Sequence, residues 1–131
     1  MVADGAGISV TAWVAAGGAI GAAARYALAG FVHRFTSAYF PYGTFVVNMT
    51  GCLLFGVIFG FTEQRFQISP TLRAFLLIGV LGGFTTFSSY AFESFQLIRD
   101  AQYVRASANV AGQVVLGLAC FWLGYLANRV V

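Results

Sequence analysis

Of the 131 residues, 60% are hydrophobic and 8% charged, whereas a soluble domain carries roughly a quarter charged residues. So few charges cannot cover a water-exposed surface, which excludes a soluble domain and leaves a chain that faces lipid. The seven arginines outnumber four acids and there is no lysine, but the arginines stand singly, without the basic run that would track a phosphate backbone, so nucleic acid is excluded as a partner.

The N-terminus carries Asp4 in place of the positive flank of a signal peptide, so the apolar stretch that follows is expected to stay in the protein. That stretch, residues 10–31, reaches the roughly 20 apolar residues needed to cross the hydrocarbon core, and its single charge is Arg25. Taken alone, Arg25 reads either as an arginine snorkelling to the interface or as a functional group. Gly17 and Gly21 lie four apart, as do Gly56 and Gly60 and Gly79 and Gly83. This spacing lets helix backbones approach closely in a membrane, within one bundle or between chains.

A polar connector from His33 to Ser37 follows, in which His33 is expected to be solvated. The second segment, 43–62, is free of charge. Its Asn48 is an intramembrane amide, either glue between helices or part of a site. Cys52, like Cys120 further on, sits in an apolar run and reads as a small buried hydrophobe, neither half of a disulfide nor a metal ligand. After a connector from Glu63 to Pro70 comes the third segment, 72–98, with Glu93 as the one acid well inside an apolar stretch. Glu93 is open between protonation, pairing with Arg99 and a place on an ion path. A connector from Arg99 to Arg105 leads to the fourth segment, 105–128. Trp13, Tyr39, Tyr42, Tyr103, Trp122 and Tyr125 fall near segment ends, where aromatic rings favour the membrane interface. The expected fold is therefore an all-α integral membrane protein, one domain over 1–131 with four transmembrane helices, multi-pass in the cell membrane.

Four crossings put both termini on one side with Arg65, Arg73 and Arg129, and leave Arg34, Arg99 and Arg105 on the other. Arginine and lysine bias in short loops sets orientation, and this chain has almost none. A chain that inserts both ways can pair with an inverted copy, so an antiparallel, dual-topology homodimer is expected.

The third segment holds the unusual chemistry. Gly82-Gly83-Phe84-Thr85-Thr86-Phe87-Ser88-Ser89-Tyr90 sets two glycines before four hydroxyl residues, and each glycine costs a helix about 1 kcal/mol. A break over Gly82 to Thr86, near the middle of the third helix, is predicted. Irregular backbone at membrane depth survives where it is buried in protein or lines a wet cavity. The carbonyls freed at the end of a half-helix suit a small hard cation such as sodium. The alternative is a tight helix crossing at the glycines, with hydroxyls bonded to their own turn. Phe87 and Tyr90 share a helical face, as a packed pair or as ring edges, the positive part of the quadrupole, offered to a small anion. Ser88 and Ser89 read equally as pore lining or as partners of the backbone.

The run from Gly82 to Ser89 with Glu93 following resembles the third-helix signature of the Fluc (CrcB) fluoride channels. Gly18-Ala19-Ile20-Gly21 to Arg25-Tyr26 and Gly43-Thr44 to Val47-Asn48 are similar to that family's first and second helices. The resemblance implies a fluoride-specific channel for passive fluoride efflux, built as an antiparallel homodimer with a structural, non-transported sodium at its centre. It implies that the carbonyls of Gly82 and Thr85 hold the sodium, and that Phe87 and Tyr90 form the aromatic fluoride site, with Tyr90 where the family has Phe. Asn48 would donate its amide to the anion, with Thr44 one turn away. Thr86, Ser88, Ser89, Asn109 and Gln113 would line the pore, Gln113 standing where small residues are usual. Arg25 and Glu93 would belong to the vestibule.

Two other functions are weighed against this one. A small dual-topology multidrug or cation exporter needs a membrane-embedded carboxylate that alternately takes proton and cation, and the first segment has none. An inert assembly subunit has no reason to carry a broken helix and buried amides. An enzyme is excluded by the lack of a nucleophile–base pair, a metal-ligand cluster and a phosphate loop.

Overall fold

A computed structural model describes residues 5–64 and 66–130; Asp4 and Arg65, both used in the charge argument above, lie outside them. Every regular element among the described residues is a helix, and four helical spans are long and apolar enough to cross a membrane. Helix α1 (Gly5–His33) has 29 residues and α2 (Tyr42–Gln64) has 23. At 1.5 Å per residue both exceed a hydrocarbon core about 30 Å thick. The third span runs from Pro70 to Arg99 in four pieces: α3 (Pro70–Arg73), a π-helical stretch (Ala74–Leu81), α4 (Gly82–Phe84) and α5 (Phe87–Arg99). Helix α6 (Tyr103–Ala127) closes the bundle. The predicted segments are all found, with ends that differ by a few residues because α1, α2 and the third span continue past the apolar core into the connectors.

The first helical turn of the third span is set by Ser69 and Pro70. Ser69 Oγ accepts from Leu72 N at 3.1 Å, and Pro70 stands where no amide is needed. Beyond it, the span leans on α1, and glycines bring the two backbones together. A Cβ placed on Gly83 would lie 2.6 Å from the Gly18 carbonyl oxygen, and one on Gly79 2.9 Å from that of Val14. Helix α2 packs along α6 in the same way. A Cβ on Gly56 would strike the Phe121 carbonyl, and one on Gly124 that of Leu53. The glycine spacing seen in the sequence thus serves packing within one chain at these positions.

Large apolar side chains such as Leu53, Val115, Leu118, Trp122 and Leu123 face outward, as expected where lipid replaces water. The interior is unusually polar: Thr44, Thr86, Ser94, Asn109 and Gln113 are buried beside Val47, Leu77, Leu81 and Phe84. Tyr39, Tyr42 and Tyr103 are exposed at one end of the bundle, at the positions given to the aromatic belt.

Candidate functional site

The predicted interruption of the third span is present but narrower than the sequence suggests. Gly82 has ordinary helical angles (φ −63°, ψ −37°), and α4 persists to Phe84. Only Thr85 (φ −81°, ψ 155°) and Thr86 (φ −147°, ψ 109°) are extended. The β-branched threonines accept this geometry readily, whereas Gly83 serves the contact with α1. Two local bonds close the ends. Thr85 Oγ1 donates to the Leu81 carbonyl at 2.9 Å, and Thr86 Oγ1, the N-cap of α5, accepts from Ser89 N at 3.2 Å.

What holds the break open is Asn48, one helix away. Its Oδ1 accepts from Thr86 N at 2.9 Å, and its Nδ2 donates to the Thr86 carbonyl at 3.1 Å. The amide of Thr86 would have continued the helix by bonding to the Gly82 carbonyl; it is taken by a side chain instead. The same Nδ2 donates to Gln113 Oε1 at 2.7 Å. From there the bonds run on through α6: Gln113 Nε2 donates to Asn109 Oδ1 at 2.9 Å, and Asn109 Nδ2 to Ser94 Oγ at 2.9 Å. Ser94 Oγ ends the chain by donating to the Tyr90 carbonyl at 2.7 Å. Asn109 is 0% exposed, and a buried amide without partners would cost about 1–3 kcal/mol.

Beside this chain lies a cavity of about 330 Å³, open on one side and lined among others by Asn48, Thr85, Thr86, Phe87, Tyr90 and Gln113, none of its lining residues charged. The Phe87 and Tyr90 rings are 5.4 Å apart and tilted by 48°. Phe87 is 78% exposed. Tyr90 OH donates to the Val110 carbonyl on α6 at 3.2 Å, which ties the ring to the neighbouring helix. Ser88 and Ser89 adjoin Thr86, whose Oγ1 is 2.9 Å from Ser89 Oγ and 3.4 Å from Ser88 Oγ.

A second cavity, of about 340 Å³, opens at the end of the bundle between His33, Tyr39, Pro41, Glu93, Gln96 and Gln102. Glu93 Oε1 accepts from Thr44 Oγ1 at 2.7 Å, while its Oε2 is buried without a partner among the described residues. Arg99 pairs with Asp100 at 3.1 Å on the surface, so the pairing of Glu93 with Arg99 considered from the sequence is not made. His33 is exposed, as expected. Arg25 is half-buried on α1, one turn past Gly21, and lines neither cavity.

The structure therefore brings together Asn48, Thr85, Thr86, Phe87, Tyr90, Asn109 and Gln113, places Thr44 with Glu93 one level away, and leaves Arg25 apart. It adds Ser94, which the sequence reading did not single out. Its signal was available: a hydroxyl one turn after Tyr90 in an amphipathic helix, on the face that α6 covers.

A family model described as CrcB-like protein, Camphor Resistance (CrcB), matches residues 12–125. The fluoride-specific ion channel FluC of Nitrosococcus oceani is 44% identical over 120 residues, covering 92% of this chain and 96% of that protein. The protein of the same name from Nitratidesulfovibrio vulgaris is 47% identical over 114 residues, 87% of this chain and 92% of its own. That of Maridesulfovibrio salexigens is 44% identical over 119 residues, 91% and 94% of the two chains.

Proposed function

The chain belongs to the CrcB family, and from that premise we infer that it is a fluoride-specific ion channel, a multi-pass membrane protein through which fluoride leaves the cell passively, so that cytoplasmic fluoride and its toxicity fall. It is not an enzyme. The observation that carries this reading is the cavity beside the break in the third span, lined by the amides of Asn48 and Gln113, by Thr85 and Thr86 and by the rings of Phe87 and Tyr90, without a charged residue. Fluoride is strongly hydrated, and a pore must replace its water with many hydrogen-bond donors. Asn48, Thr86 and Gln113 supply polar groups in the wall. Ser88 and Ser89 adjoin them through Thr86, and Asn109 stands behind Gln113. Phe87 and Tyr90 supply positive edges that attract an anion without trapping it. Thr44 and Glu93 form the approach from the second cavity, and Arg25, which lines neither cavity, acts on anions only at longer range.

The finer assembly is part of the same proposal. Two inverted copies meet at their broken spans, which completes the open side of the cavity against a partner. Three features support this: the exposure of Phe87, the exposure of Gly82, and the near-equal arginines of the two sides. Carbonyl oxygens of Gly82 and Thr85, two from each copy, hold a structural sodium between them. The diverted Thr86 amide supports this, since it leaves the Gly82 carbonyl without its helical donor. A bound sodium would pin the two breaks together through oxygen ligands.

An exporter that exchanges protons for cations would need a carboxylate in the cavity beside the break, and Glu93 does not line it. The deciding experiment is fluoride efflux from liposomes containing the purified protein. Fluoride leaving while chloride stays behind supports the channel; equal passage of both, or of neither, overturns it.

A further inference from the structure

The hydrogen-bond chain from Thr86 to Tyr90 has only one possible direction. It is anchored at both ends by backbone groups whose roles cannot be exchanged. At one end, Thr86 N–H can only donate, so the Asn48 atom facing it is the oxygen and the other is the amide nitrogen. That nitrogen requires an acceptor from Gln113, which fixes Gln113 Oε1 toward Asn48 and Gln113 Nε2 toward Asn109. At the other end the Tyr90 carbonyl can only accept, so Ser94 donates to it and accepts from Asn109 Nδ2. The two ends agree, and no single amide can turn over without setting like against like at its neighbour.

This polarity has a consequence for the anion path. Asn48 Nδ2 has two hydrogens, and both are engaged, one by the Thr86 carbonyl and one by Gln113 Oε1. Gln113, which also lines the cavity, presents the negative end of its amide at that point. An anion cannot receive a hydrogen from Asn48 while Gln113 Oε1 holds it, and the lone pairs of that oxygen repel the anion. We propose that Gln113 is a built-in competitor for fluoride: it occupies the donor of Asn48 when the pore is empty, and fluoride must displace it to pass. Resting on the channel reading, this assigns Gln113 a specificity role opposite in sign to that of a pore donor. A strongly basic, compact anion such as fluoride can take the hydrogen from a neutral amide oxygen. A larger, more weakly accepting halide cannot, so the competition favours fluoride.

The test is Gln113→Met, which keeps the length and volume of the side chain and removes the acceptor. Gln113→Ala is made in parallel, in case the thioether disturbs packing. Initial fluoride efflux from liposomes is measured at low fluoride for wild type and both variants, with chloride efflux alongside. The proposal expects fluoride efflux to rise by about threefold to tenfold, the worth of one net hydrogen bond, and chloride discrimination to fall. It also expects the gain to vanish when Gln113→Met is combined with Asn48→Ser, since the effect acts through the Asn48 amide. Unchanged or reduced fluoride efflux in a variant that elutes as the wild type does overturns the proposal, and so does a gain that survives the loss of Asn48. A wild-type protein that passes no fluoride would instead defeat the channel reading itself.

Discussion

At the scale of single residues, the aromatic pair separates contact through a ring edge from simple lining of a wall. Phe87→Ile keeps an apolar side chain and removes the edge, and Phe87 makes few contacts that its loss would disturb, being largely exposed in the single chain. Fluoride flux in liposomes is expected to fall by roughly tenfold, the upper range of an aromatic contact, with an unchanged elution profile. Undiminished flux would remove the ring from the pathway. Tyr90→Phe is expected to keep flux within about twofold, because the ring edge remains and only the bond to the Val110 carbonyl is lost, worth about 1 kcal/mol. A collapse of flux there would mean that the tether to α6 positions the ring. The sequence could nominate Phe87, Tyr90 and Asn48, but not what Asn48 does. Its grip on Thr86 spans 38 positions in the chain, beyond the reach of any local rule.

At the scale of the element, the interrupted span shows where sequence reasoning succeeds and where it stops. Runs of apolar residues gave all four crossings, because length and composition alone decide whether a helix can span lipid. The break was legible as a place but not in its cause. The glycines looked like the breaking residues, yet they are helical, and the extended residues are Thr85 and Thr86, held so by Asn48. The two glycines consequently differ in what they tolerate. Gly83→Ala sets a Cβ 2.6 Å from the Gly18 carbonyl, a backbone atom that cannot yield cheaply, and is expected to destabilise the fold by about 1–3 kcal/mol. Gly82→Ala meets only the Leu77 carbonyl at 3.7 Å, so stability of the single chain should be kept. Thermal or denaturant unfolding in detergent measures both; equal losses would show that α1 and α4 do not pack through Gly83. Bulky residues at Gly82 are expected to abolish transport all the same, through the partner that the proposed dimer places there.

At the scale of the whole molecule, charge governs orientation. Arginines divided almost equally between the two faces leave the insertion machinery little to choose by, so reporters fused to the C-terminus are expected to mark both sides of the membrane. Reporters confined to one side would rule out the inverted pair. The row of amides from Asn48 through Gln113 to Asn109 bears on a different quantity, the energy stored across the membrane. A proton hops along hydroxyls or water because one atom can take a proton on one side and release another. A carboxamide donates from nitrogen and accepts at oxygen, so a row of them with fixed polarity passes no proton along itself. A passage beside these amides can vent a toxic halide without the proton gradient running down through that row, and the hydroxyls of Thr86, Ser88 and Ser89 form only a short local cluster. Liposomes holding a pH-sensitive dye and an imposed pH step, at zero fluoride, should therefore stay as proton-tight with the protein as without it. Rapid acidification under those conditions would show that water threads past the amides.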